Sequence, residues 1–117
     1  MRPVVCGREV RLPMYLAIAL GAGSRIVRCA LADHPPGRQH AGYAAEWPAS
    51  PDQAVWVIWS ELDLDLRWEP LRDCPPRPGA GEECCVLYEG HPPPCSWAMF
   101  DPQHAVDSFL ASLPPTT

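Results

Sequence analysis

Hydrophobic and polar residues alternate strictly over residues 61–69. This segment has the sequence E-L-D-L-D-L-R-W-E, with an apolar side chain at every second position. Successive side chains of a β-strand point to opposite faces, so the pattern predicts a strand with one apolar and one mostly acidic face. Such a strand is typical of an antiparallel sheet with one packed and one solvated face. We expect the apolar side chains to pack on a helix near the C-terminus: Leu62, Leu64, Leu66 and Trp68.

The N-terminal part of the chain contains two apolar runs. Residues 12–20 and 25–31 flank the turn sequence G-A-G-S, which predicts a β-hairpin. The good helix formers within residues 12–20 leave a helix there as the alternative. Residues 33–49 begin with H-P-P-G and are predicted to form a loop.

Residues 51–60 carry conflicting signals. Ser50 and Gln53 form a capping box, and Pro51 suits the first position of a helix. The residues that follow are mostly β-branched or aromatic, which favours a strand. We predict a short helix over residues 51–60, with an early start of the next strand near residue 54 as the alternative.

The C-terminal part of the chain predicts short strands and a closing helix. Pro70 is expected to end the alternating strand, and residues 84–88 and 96–100 predict two further strands. Asp101 can cap a helix whose apolar stripe recurs at helical spacing: Ala105, Val106, Phe109, Leu110 and Leu113.

Together these elements predict the α+β class, with a small antiparallel β-sheet and one or two helices packed on one face. We expect a single compact domain over residues 1–117, with Pro-rich loops near 33–49, 70–83 and 91–95. No internal repeat is apparent.

Composition limits the chemistry that is possible. All nine basic residues are Arg, and the absence of Lys excludes a Schiff-base lysine and a phosphate-binding-loop lysine. The net charge is −5, and residues 61–117 carry three Arg against ten acidic residues. This balance argues against nucleic acid or an anionic membrane as a partner and favours a basic protein.

Six cysteines raise the question of compartment. Arg residues before the apolar run at 12–20 imitate a signal peptide, but Glu9 and Pro13 interrupt that pattern. We therefore expect a cytoplasmic protein with reduced, mostly buried thiols, and a disulfide-linked secreted domain is the alternative. No segment approaches the length of a transmembrane helix.

Candidate metal and catalytic residues are present but weakly specified. Asp63 and Asp65 share a strand face, yet hard cations require more oxygen ligands than this segment supplies. No C-x-x-C spacing occurs, and nothing selects one Cys–His pair, with His91 or His104, as a nucleophile and base. We assign no catalytic residue, metal ligand or cofactor. The alternative is a small zinc-binding module or minor enzyme that uses the 84–95 region: Cys84, Cys85, His91 and Cys95, with Cys74 nearby.

Two C-terminal segments carry a family resemblance. The sequence V-L-Y-E-G at 86–90, followed by A-V-D-S-F-L-A-S-L-P-P at 105–115, resembles the end of small actinobacterial immunity proteins. Such proteins neutralise polymorphic toxins, including nucleic-acid deaminases, by binding the toxin. The resemblance implies a binding function, and it agrees with the charge argument because a toxin that acts on nucleic acid is basic.

We therefore predict a small acidic protein-binding module, of the immunity or inhibitor type, that is not an enzyme. Its partner is expected to be a basic toxin or enzyme, because complementary charge speeds association and sets specificity. The oligomeric state is left open. The predicted partner-binding residues are Asp63, Asp65, Glu69, Asp73, Glu82, Glu83 and Glu89.

Overall fold

The computed structural model describes residues 3–35, 38–60, 66–75 and 85–114. These residues contain five short strands and two α-helices. The strands form one two-stranded and one three-stranded antiparallel sheet, which confirms the α+β class. In chain order the elements are β1 (Glu9–Arg11), α1 (Met14–Leu20), β2 (Ile26–Arg28), β3 (His40–Glu46), β4 (Gln53–Trp59), β5 (Arg67–Arg72), a short 3-10 helix (Ser96–Ala98) and α2 (Pro102–Ser112).

The centre of the larger sheet is β4, which lies between β3 and β5. Residues 54–59 of this strand are all buried, so both of its faces are covered. Val57 and Val55 are almost completely inaccessible to solvent. The ring of Trp56 lies edge-on to the rings of Tyr43 and Tyr88, at centroid distances of 6.2 and 5.1 Å. The core therefore forms around β4.

The helix predicted over residues 51–60 is wrong, because this segment forms β4. The side chain of Ser50 donates to the carboxylate of Asp52 instead of capping a helix, and the N–H of Gln53 donates to the Ser50 carbonyl at 3.2 Å. These bonds close a turn. The β-branched and aromatic residues that follow then pair with strands on both sides, so tertiary packing outweighs the capping signal.

The hairpin predicted from residues 12–20 and 25–31 is also wrong. Residues 14–20 form helix α1, which was the alternative, and β2 pairs instead with β1. Gly21 ends the helix with φ of 70°, and its N–H donates to the carbonyls of Ala17 and Ile18. Glycine adopts this left-handed conformation without steric cost, so the residue that was expected to turn a hairpin ends a helix.

The loop predicted over residues 33–49 contains strand β3. Small side chains dominate this strand, and those of Ala41, Ala44 and Ala45 are buried. They give a weak strand signal in the sequence, but they allow β2 to pack closely over β3. A Cβ atom placed on Gly42 would collide with the Val27 side chain and the Arg28 carbonyl.

The alternating strand lies partly outside the described residues, since Leu62 and Leu64 belong to 61–65. Its later part forms β5, but Pro70 does not end it, because Pro70 pairs with Val55 inside the strand. An edge strand accepts proline because one side of its backbone needs no ladder bond. Trp68 is 42% exposed, so the predicted apolar face is only partly covered.

The C-terminal part is less regular than predicted. Residues 96–98 form the 3-10 helix rather than a strand, and within residues 85–88 only Tyr88 makes a strand-like bridge, to Asp73. Cys84 lies outside the described residues. The loop nature of these segments means that few backbone bonds to strands hold them in place.

The closing helix is confirmed as α2. The carboxylate of Asp101 accepts from the N–H of Gln103 at 3.1 Å, and Pro102 occupies the first turn. However, every residue from 102 to 114 is exposed, so the predicted packing of Leu66 and Trp68 on this helix is wrong. The helix that does pack on the core is α1, which buries Ala17.

Among the described residues, no helix has the length and apolar character needed to cross a membrane. All five described cysteines carry free thiols: Cys6, Cys29, Cys74, Cys85 and Cys95.

The contact of β2 with β3 predicts a specific sensitivity. Replacing Gly42 by Ala should lower the free energy of unfolding by about 1–3 kcal/mol, because the new methyl group overpacks this contact. Urea denaturation checks the value. Gly23→Ala is the matched control, since a Cβ atom there meets nothing within 4 Å. Equal stability of the two variants would contradict the packing of β2 on β3.

Candidate metal centres

Two groups of four cysteine and histidine side chains converge in the structure. We call them the N-terminal quartet and the C-terminal quartet. Within each quartet, the sulfur and nitrogen atoms that could bind a metal all lie within 4.8 Å of one another. The N-terminal quartet consists of Cys6, Cys29, His34 and His40, and the C-terminal quartet of Cys74, Cys85, His91 and Cys95.

The distances in the N-terminal quartet link its ligands in pairs. The Sγ atom of Cys6 lies 3.5 Å from Nδ1 of His40, and the Sγ atom of Cys29 lies 3.8 Å from Nε2 of His34. The two imidazole rings are 4.6 Å apart, and the ring of His40 stacks on that of Trp59 at 5.3 Å. His40 is buried, whereas Cys6 and His34 are half-buried.

The C-terminal quartet is more enclosed. Nε2 of His91 lies 3.5 Å from Sγ of Cys85 and 3.8 Å from Sγ of Cys95. The Sγ atoms of Cys95 and Cys74 are 4.0 Å apart. Three of the four residues are buried, and Cys85 is half-buried.

These separations fit the edges of a tetrahedron around a zinc ion. Zinc–sulfur and zinc–nitrogen bonds of about 2.3 and 2.0–2.1 Å imply edges of roughly 3.8 Å between two sulfurs and roughly 3.6 Å between sulfur and nitrogen. The observed sulfur–sulfur distance is 4.0 Å, and the sulfur–nitrogen distances are 3.5–3.8 Å. These five pairs are therefore spaced as around a tetrahedral ion, and all the ligand atoms of each quartet lie within 4.8 Å of one another.

The same sequence pattern occurs in both quartets. Residues 29–36 read C-A-L-A-D-H-P-P, and residues 85–93 read C-V-L-Y-E-G-H-P-P. Each segment begins with the second ligand and reaches the histidine ligand just before two prolines. The extra residue in the second copy is Gly90, which has φ of 86° in the turn before His91. The chain thus contains an internal repeat, contrary to the expectation from the sequence.

The backbone confirms this equivalence. In each quartet the N–H of the first cysteine donates to the carbonyl of the buried leucine two residues after the second cysteine: Cys6 to Leu31 at 2.7 Å, and Cys74 to Leu87 at 2.9 Å. The acidic residue of each repeat donates its N–H to the residue two before the first cysteine: Asp33 to Val4, and Glu89 to Arg72, both at 2.7 Å.

Each second cysteine also accepts equivalent hydrogen bonds. Backbone groups two residues after it and one residue after the fourth ligand contact its sulfur: Leu31 and Ala41 at Cys29, and Leu87 and Ser96 at Cys85. The Ser96 bond is 3.3 Å long. Such N–H donors stabilise a thiolate, which is the form that binds a metal.

The histidines are oriented in the same way. The Nδ1–H of His91 donates to the carbonyl of Pro92 at 2.7 Å, and that of His34 donates to the carbonyl of Pro35 at 3.3 Å. This bond fixes the tautomer and directs Nε2, with its lone pair, into the quartet. Histidine ligands of metal ions are commonly held by such an outer hydrogen bond.

The surroundings shift the pKa values of the thiols in different directions. Burial raises the pKa of the Cys29 thiol to about 11, and the nearby Cys6 adds to the effect. Burial also raises the pKa of Cys95 to about 11, together with its neighbours Cys85 and Cys74. Burial opposes ionisation of Cys85 as well, but the backbone hydrogen bonds outweigh it and lower the pKa of that thiol. A bound cation would stabilise all of these thiolates, because metal binding and thiol deprotonation are coupled.

The predicted site residues are only partly brought together. The zinc alternative named Cys74, Cys85, His91 and Cys95, and these four form the C-terminal quartet, while Cys84 lies outside the described residues. Sequence analysis missed the N-terminal quartet completely. The signal that could have found it is the repeated cysteine–leucine–acid–histidine–proline–proline order. His104 is exposed on α2 and belongs to neither quartet.

The predicted acidic surface is visible in part. Glu69, Asp73 and Glu89 are all exposed, and Asp73 and Glu89 flank the C-terminal quartet through the bonds around Cys74. The remaining predicted residues lie outside the described part of the chain: Asp63, Asp65, Glu82 and Glu83.

Comparison of the chain with protein-family models, curated proteins and solved structures finds no match. The function must therefore be inferred from the quartets and the surface.

The repeat predicts that the two buried leucines are equally important. Leu31→Ala and Leu87→Ala should each lower the free energy of unfolding by about 2–5 kcal/mol, because each opens a cavity beneath a quartet. Val86→Ala is the control and should change stability by no more than about 0.5 kcal/mol, since Val86 is 71% exposed. Urea denaturation in buffer with zinc measures all three. A cost well below 1 kcal/mol for either leucine would argue against the repeat as a structural unit.

Proposed function

We propose that this protein is a non-catalytic binding module that holds two structural zinc ions, one in each quartet. The observation that carries the proposal is that each quartet brings four possible protein ligands within 4.8 Å of one another. Structural zinc sites have four protein ligands, whereas catalytic sites keep one position for water or substrate. Two closed sites support a binding role rather than an enzymatic one.

The ligand types favour zinc over other cations. Calcium and magnesium prefer oxygen ligands, and neither quartet contains a carboxylate. Mixed thiolate and imidazole ligands in a tetrahedral arrangement are typical of zinc. The second cysteine and the histidine of each quartet also have the outer hydrogen bonds that zinc ligands commonly make.

The zinc ions would stabilise parts of the chain that the sheets do not. Residues 29–35 and 85–95 contain no helix and only isolated bridges among the described residues. Residues 3–8 also lie outside the regular strands, and backbone hydrogen bonds at Val4, Cys6, Gly7 and Arg8 join them to residues 29–33. Each zinc ion would cross-link such segments, and metal binding free energy of this kind contributes directly to folding.

Metal analysis of the purified protein tests the proposal. We expect two zinc ions per chain by inductively coupled plasma mass spectrometry. Cys6→Ser and Cys74→Ser should each reduce the content to one, because each removes a ligand from one quartet. His104→Ala is the control and should keep both ions, since this histidine lies outside the quartets.

Protein that is folded, reduced and free of zinc after expression with zinc present would contradict the proposal. So would full zinc retention in both cysteine variants. Near-ultraviolet circular dichroism of the five tryptophans reports whether each preparation is folded.

A basic protein partner, of the kind that an immunity or inhibitor protein binds, is the second candidate function. What favours it is the exposure of Glu69 on β5 and of Asp73 and Glu89 beside the C-terminal quartet. A zinc-stabilised loop that presents carboxylates suits recognition by complementary charge. The two proposals are compatible, because structural zinc sites commonly support binding surfaces.

Charge reversal tests the partner proposal. The triple variant Glu69→Arg, Asp73→Arg and Glu89→Arg should lose basic proteins that the wild-type chain retains from a cell lysate at low salt. The control Glu9→Arg changes an exposed acidic residue on β1, in the two-stranded sheet, and should retain them. Identical retention by both variants would contradict a role for the acidic surface.

A further inference from the structure

The two quartets repeat each other except at the fourth ligand. This ligand is His40 in the N-terminal quartet and Cys95 in the C-terminal quartet. A zinc ion would therefore meet two thiolates and two neutral imidazoles at the first site, but three thiolates and one imidazole at the second. Each thiolate brings a full negative charge and a soft sulfur donor, so the C-terminal quartet attracts zinc more strongly.

The two quartets also differ in how much solvent reaches them. Cys6 and His34 are half-buried, whereas only Cys85 is half-buried in the C-terminal quartet. A cleft of about 500 Å³ is lined by His34, His40, Pro92 and Pro93, among other residues. A second cleft, of about 610 Å³, is lined by Cys29. The described lining of these two clefts includes three ligands of the N-terminal quartet and none of the C-terminal quartet.

From the ligand difference and the two clefts we infer that the zinc ion of the N-terminal quartet is exchangeable, whereas that of the C-terminal quartet is permanent. This inference rests on the proposed zinc-binding function and adds a division of labour between its two sites. A small chelating molecule can reach the half-buried His34 through the cleft and then replace protein ligands one at a time. The C-terminal quartet offers fewer exposed ligands and holds its ion with one more charge.

Exchange at the N-terminal quartet has a defined structural consequence. Cys6 lies on the N-terminal segment, residues 3–7, which joins the start of α2. The N–H of Val5 donates to the carbonyl of Phe100 at 2.9 Å, and the N–H of Phe100 donates to the carbonyl of Pro3 at 2.8 Å. Loss of zinc removes the link between the Cys6 thiol and the other ligands, and so weakens this pairing.

The attachment of α2 depends on this pairing because the helix itself buries no residue. Apart from the Phe100 bonds, Asp101 lies 3.7 Å from the guanidinium of Arg28, which directly precedes Cys29. Residues 3–7 and the Arg28–Cys29 pair thus link the metal ion of the N-terminal quartet to the position of an exposed helix. Its apolar stripe comprises Val106, Phe109, Leu110 and Leu113, each 48–62% exposed.

Chelator challenge of the zinc-loaded, full-length protein tests the inference. Native mass spectrometry after addition of excess EDTA should show a one-zinc species, because the first ion leaves at least about tenfold faster than the second. That ratio is a minimum, since even outer-shell partners change metal affinity by roughly 10–100-fold. Loss of both ions at one rate would overturn the inference.

Cobalt identifies which site empties first in the wild-type protein. Thiolate-to-cobalt charge-transfer absorption scales with the number of thiolate ligands. The N-terminal quartet supplies two of the five thiolates, so the fast phase should remove the smaller part of the total absorption. A fast phase that removes the larger share would place the exchangeable ion in the C-terminal quartet and overturn the inference.

Reciprocal variants exchange the one differing ligand. Cys95→His should make the slow ion leave faster, and His40→Cys should make the fast ion leave more slowly. Hydrogen exchange of the one-zinc species should be faster than that of the two-zinc species at the amides of Val5 and Phe100. Unchanged exchange at these amides would contradict the link to α2.

The outcomes separate this inference from the proposed function. Protein without zinc contradicts the proposed function itself. Protein with two zinc ions that leave together supports the proposed function and contradicts only the division of labour.

Discussion

The convergence of four thiol and imidazole side chains at each of two points is the constraint on which the rest of the structure depends. Five of these eight residues are buried and three are half-buried, and all but His40 lie outside the regular strands and helices. A buried polar group is costly unless it is satisfied, and a buried thiolate even more so. A tetrahedral cation would satisfy every member of a quartet at once. The same ion would reinforce the backbone hydrogen bonds that join these segments outside the two sheets.

The hydrophobic core and the quartets divide the molecule between them. The core forms around β4, and buried residues of α1 and β2 pack into it. The quartets lie beside it and are repeats of one local structure, in which a cysteine strand pairs with a loop that ends in His-Pro-Pro. Leu31 and Leu87 connect the two systems, because each is buried and each accepts the backbone bond of a ligand cysteine. Packing and metal binding are therefore expected to be cooperative.

Sequence reasoning succeeded where the signal is local. The cap at Asp101 and the helical spacing after it predicted α2, since a helix start depends on neighbouring residues. It failed for β4 because a capping box and a strand-forming run overlap, and pairing with two other strands decides between them. The prediction that Pro70 ends the strand failed for a similar reason. Proline is acceptable inside β5 only because β5 lies at the edge of the sheet.

The quartets show the same limit. The C-terminal quartet could be suspected because three of its ligands lie within a short stretch, Cys85 to Cys95. The N-terminal quartet draws its first ligand, Cys6, from far along the chain, and strand-like pairing rather than a C-x-x-C turn brings it to Cys29. Spacing rules learned from zinc fingers do not detect such a site. The repeated order of residues does, and it is present in the sequence at residues 29–36 and 85–93.

X-ray absorption spectroscopy at the zinc edge tests the central claim most directly, because it counts ligand atoms around the metal in the folded protein. For the fully loaded chain, two zinc ions should share five sulfur and three nitrogen ligands, with zinc–sulfur distances near 2.3 Å. A coordination shell dominated by oxygen, or one with markedly fewer sulfur atoms, would contradict the account.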